Sequence, residues 1–504
     1  MTIFQHHIYI KIINQLSDII PSTDPCTFKL IEKITTISRE WNEKVVPFVK
    51  IYLDLQIYDI DTLKRLKLLL NRKVTGYSFY ISPQIEDSEI EETFSDLKEP
   101  PYKWEMSRLA FDISKSNTIT NRWNIAQKYF RFDTLSLNAF NSDNVQLPPW
   151  SMFSGIENLE LYSQTISAND LAIAIKTFSL KSLFMYQVKL SGSTDTSLLF
   201  KILGENTTLT NFSMYFCNFK MSKQLVRDLL NSNKTLTTFS IDSHSIESGQ
   251  LDSTDEITNN TVSSIFVDTH SDDILKAWKG PNCLSHISIK ELQNHYIKSI
   301  EMYYKSLNRV SIHSAQTKQI LIDLVHLNHP FSILQLKSGC LNAVNIDFIT
   351  AIKSNNHLKE LEFAFTAPVL VILQFLKLQH PTIHRFATSY VTNTENLLQQ
   401  LSSDLIANQY ITDFSLKSLN HTITPLKSKQ DFGILLNILQ QNNRILSFSF
   451  LALDLKLEKD SEQYLSIKNL IQQNPLIFNL QISFNPSKSF QNLLTEHLIS
   501  SEYN

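Results

Sequence analysis

The sequence predicts an α/β solenoid. Its units would be a strand and a helix each, stacked into a curved parallel sheet on the concave face with helices on the convex face. Three observations predict it: a six-residue apolar phrase that recurs, near-regular steps between its copies, and a helical apolar pattern in most intervals. The phrase is clearest at Leu209-Thr-Asn-Phe212-Ser-Met214. It returns at Leu236, Phe239 and Ile241, at Leu284, Ile287 and Ile289, at Leu358, Leu361 and Phe363, and at Ile445, Phe448 and Phe450. Self-similarity at a period of roughly 20 to 50 residues marks stacked architectures.

From Phe48 the phrase can be laid down seventeen times, beginning at Phe48, Val74, Met106, Phe132, Ile156, Leu180, Leu209, Leu236, Val262, Leu284, Leu307, Phe331, Leu358, Ile383, Ile411, Ile445 and Ile477. The steps run from 22 to 34 residues. Its last two apolar residues, with one between them, point to the same side of a strand. Phe212 and Met214 therefore face inward, and Asn211, Ser213 and Tyr215 outward. The intervals carry helices: Ser222 as N-cap before Leu225, Val226, Leu229 and Leu230, then Phe432, Leu435, Leu436 and Leu439, then Tyr464, Leu465, Ile467, Leu470 and Ile471. Each helix stops in a polar, often Asn-rich turn, as at Asn231–Asn233, Asn355–Asn356, Gln441–Asn443 and Asn474–Pro475. Asn tolerates the left-handed conformation that ends helices, so these turns are read as left-handed caps. A single unit cannot bury its apolar side, whereas stacked units can.

The array is expected from residue 48 to 504, with three irregular places. Residues 83–101 hold seven acidic residues and read as an exposed acidic loop with room for a short helix. Residues 243–261 hold little apolar content, so that unit is expected to lack its helix and to break the array. Residues 420–430 read as a polar insertion.

The apolar phrase and the helical intervals resemble the leucine-rich-repeat family in its helix-containing, ribonuclease-inhibitor-like branch, from about Phe48 onward. The family's Asn or Cys, three residues after the second strand apolar position, is matched by Cys217 and Asn485. Elsewhere Phe140, Gln164, Val188, His244 or Leu419 stands there. The resemblance implies protein binding on the concave face.

Composition narrows the function further. With a net charge of -3 the chain is not a nucleic-acid binder driven by overall basicity. Its 8 Gly are too scattered for a phosphate-cradling loop. Cys26, Cys217, Cys283 and Cys340 form no Cys-x-x-Cys pair, so neither a zinc site nor a redox motif is expected, and free thiols imply a reducing compartment. No secretory signal or membrane-length apolar run stands out, which points to a cytoplasmic or nuclear protein with no membrane attachment. No catalytic motif is present, and no enzyme, metal or cofactor is expected.

The outward strand positions supply the candidate binding residues. Tyr162, Tyr186 and Tyr215 occupy one position in three successive units, with Phe184 beside Tyr186. Neighbouring strands lie about 4.8 Å apart, so the rings would form an exposed ladder. Tyr is enriched in binding hot spots; the alternative is that the rings stack and simply cover the sheet. Further on, the face is expected to turn acidic at Asp242 and Asp268, then basic at His286, Lys290, Arg309, His313 and Lys337. Scattered surface charge is the competing reading. Serines at the central outward position, such as Ser136, Ser240, Ser311 and Ser449, read as small fillers.

Residues 1–47 precede the array. Ile8, Ile12, Ile13 and Leu16 have helical spacing, Pro21 and Pro25 break that helix, and a second helix runs from Phe28 towards Trp41. With Ser38-Arg39-Glu40-Trp41 and the Val-Val-Pro exit, the segment resembles a degenerate F-box. The resemblance implies that Ile8, Ile12, Ile13 and Leu16 dock the adaptor of a cullin-based ubiquitin ligase. The other reading is a helical cap over the first unit's open apolar end.

Overall fold

The computed structural model describes residues 50 to 493 apart from intervening stretches, the longest being 96–103, 113–122, 139–149, 419–428, 454–460 and 484–492. The segment 1–47 and Asn485 lie outside the described residues. The chain divides between Val262 and Ser263 into two compact units.

In the first unit the strands are β1 (Lys50–Ile57), β2 (Thr75–Ile81), β3 (Trp104–Asp112), β4 (Phe130–Asn138), β5 (Asn158–Tyr162), β6 (Thr165–Ser167), β7 (Ser182–Tyr186), β8 (Lys189–Ser191), β9 (Asn211–Tyr215) and β10 (Thr238–Ile241). β1 to β5, β7, β9 and β10 pair in parallel, each with the next. β6 and β8 pair with each other as a short second sheet. In the second unit, β11 (Ser264–Val267), β12 (His286–Leu292), β13 (Arg309–Ala315), β14 (Ile333–Gly339), β15 (Glu360–Thr366), β16 (Arg385–Tyr390), β17 (Asp413–Ser418), β18 (Ser447–Leu453) and β19 (Asn479–Ser483) make one parallel ladder in chain order. Leaving β6 and β8 aside, every phrase lies on its own strand. Each unit is thus a leucine-rich-repeat-type stack of strands and helices.

From β3 onward the register follows the phrase; across β1, β2 and β3 it is offset by two residues, with Leu53 opposite Tyr77 and Phe79 opposite Leu109. Leu183, Phe212 and Phe239 are partners across β7, β9 and β10. Phe386, Phe414 and Phe448 are partners across β16, β17 and β18. All six side chains are buried, and Phe212 stacks on Phe239 as Phe414 does on Phe448. Burying each such side chain contributes about 1.5–3 kcal/mol. Beside β9 the helix lies on this side: Val226, Leu229 and Leu230 of the helix Lys223–Ser232 are buried, while Ser213 and Tyr215 on the other side of β9 keep part of their surface. Ser222 caps that helix by accepting from the Leu225 N–H at 3.2 Å. Where the phrase departs from apolar, at Thr388, the buried hydroxyl donates to the Phe365 carbonyl at 3.4 Å.

One expectation is met in part and one is corrected. The acidic stretch contains the short helix it had room for, Asp87–Ser95, which buries Ile90, Thr93 and Phe94 and turns Glu91 and Glu92 outward, Glu91 pairing with Lys128 at 3.2 Å. And the Asn turns are not left-handed: Asn206 and Asn233 sit at φ -70° and -76°, in extended backbone. Between Asp242 and Ile257, the described residues hold a single 3-10 turn, Ser243–Ser245, and no α-helix.

What the asparagines do is tie one turn to the previous one. Asn233 is fully buried. Its amide donates to the carbonyls of Leu203 at 2.8 Å and Asn206 at 3.0 Å, in the preceding repeat. Its Oδ1 accepts from the N–H groups of Thr235 and Leu236, at 2.9 and 2.8 Å. Asn259 repeats the pattern towards Leu230 and Asn233, Asn355 towards Val325, Asn408 towards Leu376, and Asn442 towards Leu405 and Asn408. Each stands three residues before the first apolar residue of a phrase. A side-chain amide suits the place because it carries donor and acceptor on one carbon and satisfies backbone groups that burial would otherwise orphan.

His380 fills the same position. Its Nε2–H donates to the Ile352 carbonyl at 3.1 Å, and its Nδ1 accepts from the N–H groups of Thr382 and Ile383 at 3.3 and 3.4 Å. Burial holds its pKa below the usual histidine range, against the opposing pull of its backbone hydrogen bonds to Ile352 and Asn355. The unfolded chain therefore takes up the proton first, near pH 6.5, and the imidazole's contribution is complete above that value and shrinks as the pH falls below it.

Asn233→Ala removes five hydrogen bonds at a fully buried site and is expected to cost about 2–3 kcal/mol in denaturant unfolding of the first unit. Asn233→Asp, the same size without the donor, should cost at least as much. His380→Asn should keep the fold and reduce the loss of stability seen in the same experiment between about pH 7 and pH 5.

Candidate functional site

The sheet face turned away from the helices carries the candidate residues, and each unit presents its own set. On the first unit the rings come together. Tyr162 lies 5.3 Å from Phe184 and 6.4 Å from Tyr186, and Phe184 lies 6.0 Å from Tyr215, centroid to centroid. All four keep part of their surface exposed. Tilted rings at these separations attract one another through their quadrupoles, so the strip is self-supporting. The Tyr162 hydroxyl reaches Glu160 only at 3.5 Å, the long limit of a hydrogen bond.

The strip extends beyond the residues that strand spacing identifies. Phe216 is 49% exposed, and its ring lies 5.6 Å from Tyr186 and 5.0 Å from His244. Its placement is local backbone chemistry. The residue after each outward tyrosine is left-handed: Ser163 at φ 52°, Gln187 at 56° and Phe216 at 54°. Ser163 donates its N–H to the Tyr186 carbonyl at 2.8 Å, and Gln187 donates to the Tyr215 carbonyl at 2.9 Å. At the third unit a side chain takes over the carbonyl's part: Asp242 Oδ2 accepts from the Phe216 N–H at 2.8 Å. A bulky residue at positive φ costs about 1–3 kcal/mol and persists only when its surroundings hold it. Strand spacing could not find Phe216, because it lies just past the strand end, where alternation has stopped.

Asp242 is therefore not part of an acidic surface. It is buried, and its Oδ1 also accepts from the Ser245 N–H at 3.1 Å, capping the 3-10 turn. Asp268 is buried too, beneath Lys290 at 2.7 Å. Both carboxylates serve internal partners, and the expected acidic stretch of face is absent there.

On the second unit the basic residues share the outer face of β12, β13 and β14. His286 lies between Ser264 at 3.3 Å and Ser311 at 3.2 Å, and His313 contacts Ser288 at 3.1 Å. Ser311 donates to Gln335, and Gln335 donates to Glu362 at 2.8 Å, so a polar chain crosses five strands from β11 to β15. Burial, then the Arg309 charge, holds His286 below the usual histidine range. Burial also lowers His313, with Lys337 and Lys290 acting the same way against Asp268. The serines are small buried residues at the central position: Ser136, Ser240, Ser311 and Ser449 are buried, opposite Ala110, Ser213, Ser288 and Ser415 on one neighbouring strand. Gly339 is required beside this row, since a Cβ there would meet the His313 carbonyl oxygen at 2.6 Å.

Cys217 takes the place of the family's Cys, its thiol buried against the Tyr215 carbonyl at 3.6 Å and pushed by burial up to about 12. Cys340 is buried as well, while Cys283 is exposed; Cys26 lies outside the described residues. Among the described residues no group of three or more His, Cys, Asp or Glu is placed to hold a metal ion, and no helix is long and apolar enough to cross a membrane.

No family model matches the chain, and no curated protein matches it. Solved structures do. A leucine-rich-repeat-containing protein, LegL7 from Legionella pneumophila, is 11% identical over 52% of this chain and 89% of its own, with a TM-score of 0.36. The mouse RP105/MD-1 complex is similar at 13% identity over 84% of this chain and 69% of that one, with a TM-score of 0.34. The leucine-rich-repeat ectodomain of the Arabidopsis receptor kinase HAESA, solved with a peptide hormone, is 12% identical over 73% of this chain and 69% of that one, with a TM-score of 0.26. The fold assignment stands on register and burial, not on these matches.

Asp242→Ala should cost about 2 kcal/mol in denaturant unfolding, because two backbone N–H groups lose a charged acceptor. Asp242→Asn, which keeps an acceptor oxygen, should cost less.

Proposed function

We propose that the chain is a non-enzymatic protein-binding scaffold whose contact surface includes the aromatic strip Tyr162, Phe184, Tyr186, Tyr215 and Phe216. One observation carries this reading: a half-exposed phenylalanine held at positive φ by a buried carboxylate, at the end of a contiguous row of rings. Packing alone would not favour such a residue there, since a glycine would relieve the strain and a polar residue would suit the exposure. Aromatic side chains offer large contact area with little rotamer entropy to lose, and so concentrate binding energy.

The finer reading is a substrate-recruiting subunit of a cullin-based ubiquitin ligase. It rests on the F-box-like residues Ile8, Ile12, Ile13 and Leu16, with the strip as the substrate surface. The alternative is a scaffold whose first 47 residues only cap the array. Deleting residues 1–47 separates the two. Loss of a co-purifying ligase adaptor with the array still folded supports recruitment; aggregation, with no adaptor bound to the full chain, supports capping.

The strip itself is tested by quantitative affinity purification. Tyr186→Ala with Tyr215→Ala should weaken capture of specific partners by about 2 kcal/mol, roughly thirtyfold. Phe216→Gly should change stability by less than about 1 kcal/mol while also weakening capture. Unchanged partners in both variants would return the rings to a packing role.

A further inference from the structure

The second unit carries positive charge that its own carboxylates leave unanswered. Lys290, His313 and Lys337 each follow a paired residue, Ile289, Ile312 and Leu336, on β12, β13 and β14, where the β13–β14 register shifts by one residue before Ser314 meets Gly339. Adjacent strands are about 4.8 Å apart, so the row spans about 10 Å. Arg309 stands four residues before His313 on the same face of β13. Among the described residues neither Lys337 nor Arg309 has a carboxylate within ion-pair distance, and the Arg309 Nε–H is buried with no acceptor. The nearby carboxylates are engaged elsewhere. Asp268 is taken by Lys290, Glu362 accepts from Gln335, and Glu360 and Asp413 share Arg385 at 3.5 and 3.6 Å.

A part-buried cation without a partner is costly, and an unpaired guanidinium N–H adds to the cost. Such groups persist where an external anion completes them. The site is a sheet face whose Lys290, Arg309, His313 and Lys337 keep part of their surface, which suits an extended chain. We propose that the outer face of β12 to β14 docks an acidic, extended peptide segment of a partner protein, its carboxylates meeting Lys337, Arg309 and the His313 row. This surface is separate from the aromatic strip, and either can fail without the other.

The test uses the full chain and short fluorescent peptides rich in Glu, Gln or Lys, read by anisotropy. The Glu peptide is expected to bind, with affinity falling as salt rises. Lys337→Glu should weaken it at least tenfold and Lys337→Gln less. Lys298→Glu, on the exposed helix side of the same unit, should leave it unchanged. No binding of the Glu peptide, equal binding of the Gln peptide, an equal loss with Lys298→Glu, or tighter binding of single-stranded oligo(dT) would each overturn the proposal.

Discussion

A buried side-chain amide in the turn before each of several strands is the interaction on which the stack depends. Strand ladders and apolar faces bring consecutive repeats together, but they leave these turns with buried backbone groups to satisfy. Asn233, Asn259, Asn355, Asn408 and Asn442 close that gap from within, and each binds backward into the unit before it. The contacts are nearest-neighbour, so stability accumulates unit by unit. The same geometry explains why a histidine serves at position 380. An imidazole with Nε2–H and a bare Nδ1 presents the donor and acceptor of an amide, at the cost of a protonation state that burial must defend.

Because helix-side packing and turn chemistry hold the fold, the opposite face of the sheet is released from structural duty. Its residues vary in kind from repeat to repeat, while from β3 onward the inward positions of successive phrases in each ladder stay paired beneath them. Rings collect on β5, β7 and β9, and cations on β12 to β14. Position on this face is nonetheless controlled from below. Asp242 is the clearest case, a carboxylate that contributes no surface charge yet sets the backbone angle that presents Phe216.

Much of this was legible in the sequence, for physical reasons. Strand period and burial are coupled, so the phrase located every strand of the two ladders, including the irregular ones at Phe48, Met106 and Ile383. The tyrosine row followed from the same alternation. What alternation cannot report is where a polar side chain spends its hydrogen bonds. Asp242 and Asp268 have the spacing of surface residues, but their carboxylates turn to backbone N–H groups and to Lys290. The asparagines were visible as a recurring feature three residues before the phrase, yet the general tolerance of Asn for positive φ suggested the wrong role. Left-handed backbone occurs instead one strand length away at Ser163, Gln187 and Phe216, and in a helix-ending turn at Gln379, beside His380, where side-chain identity gives no hint of it.

Native-state amide hydrogen exchange addresses the inter-unit tie most directly. The N–H groups of Leu236, Val262, Leu358 and Ile411 each donate to a buried Asn Oδ1. Protection of these four turn amides comparable to that of the adjoining strand amides is the result this account predicts. Exchange as fast as that of exposed loop amides would contradict it.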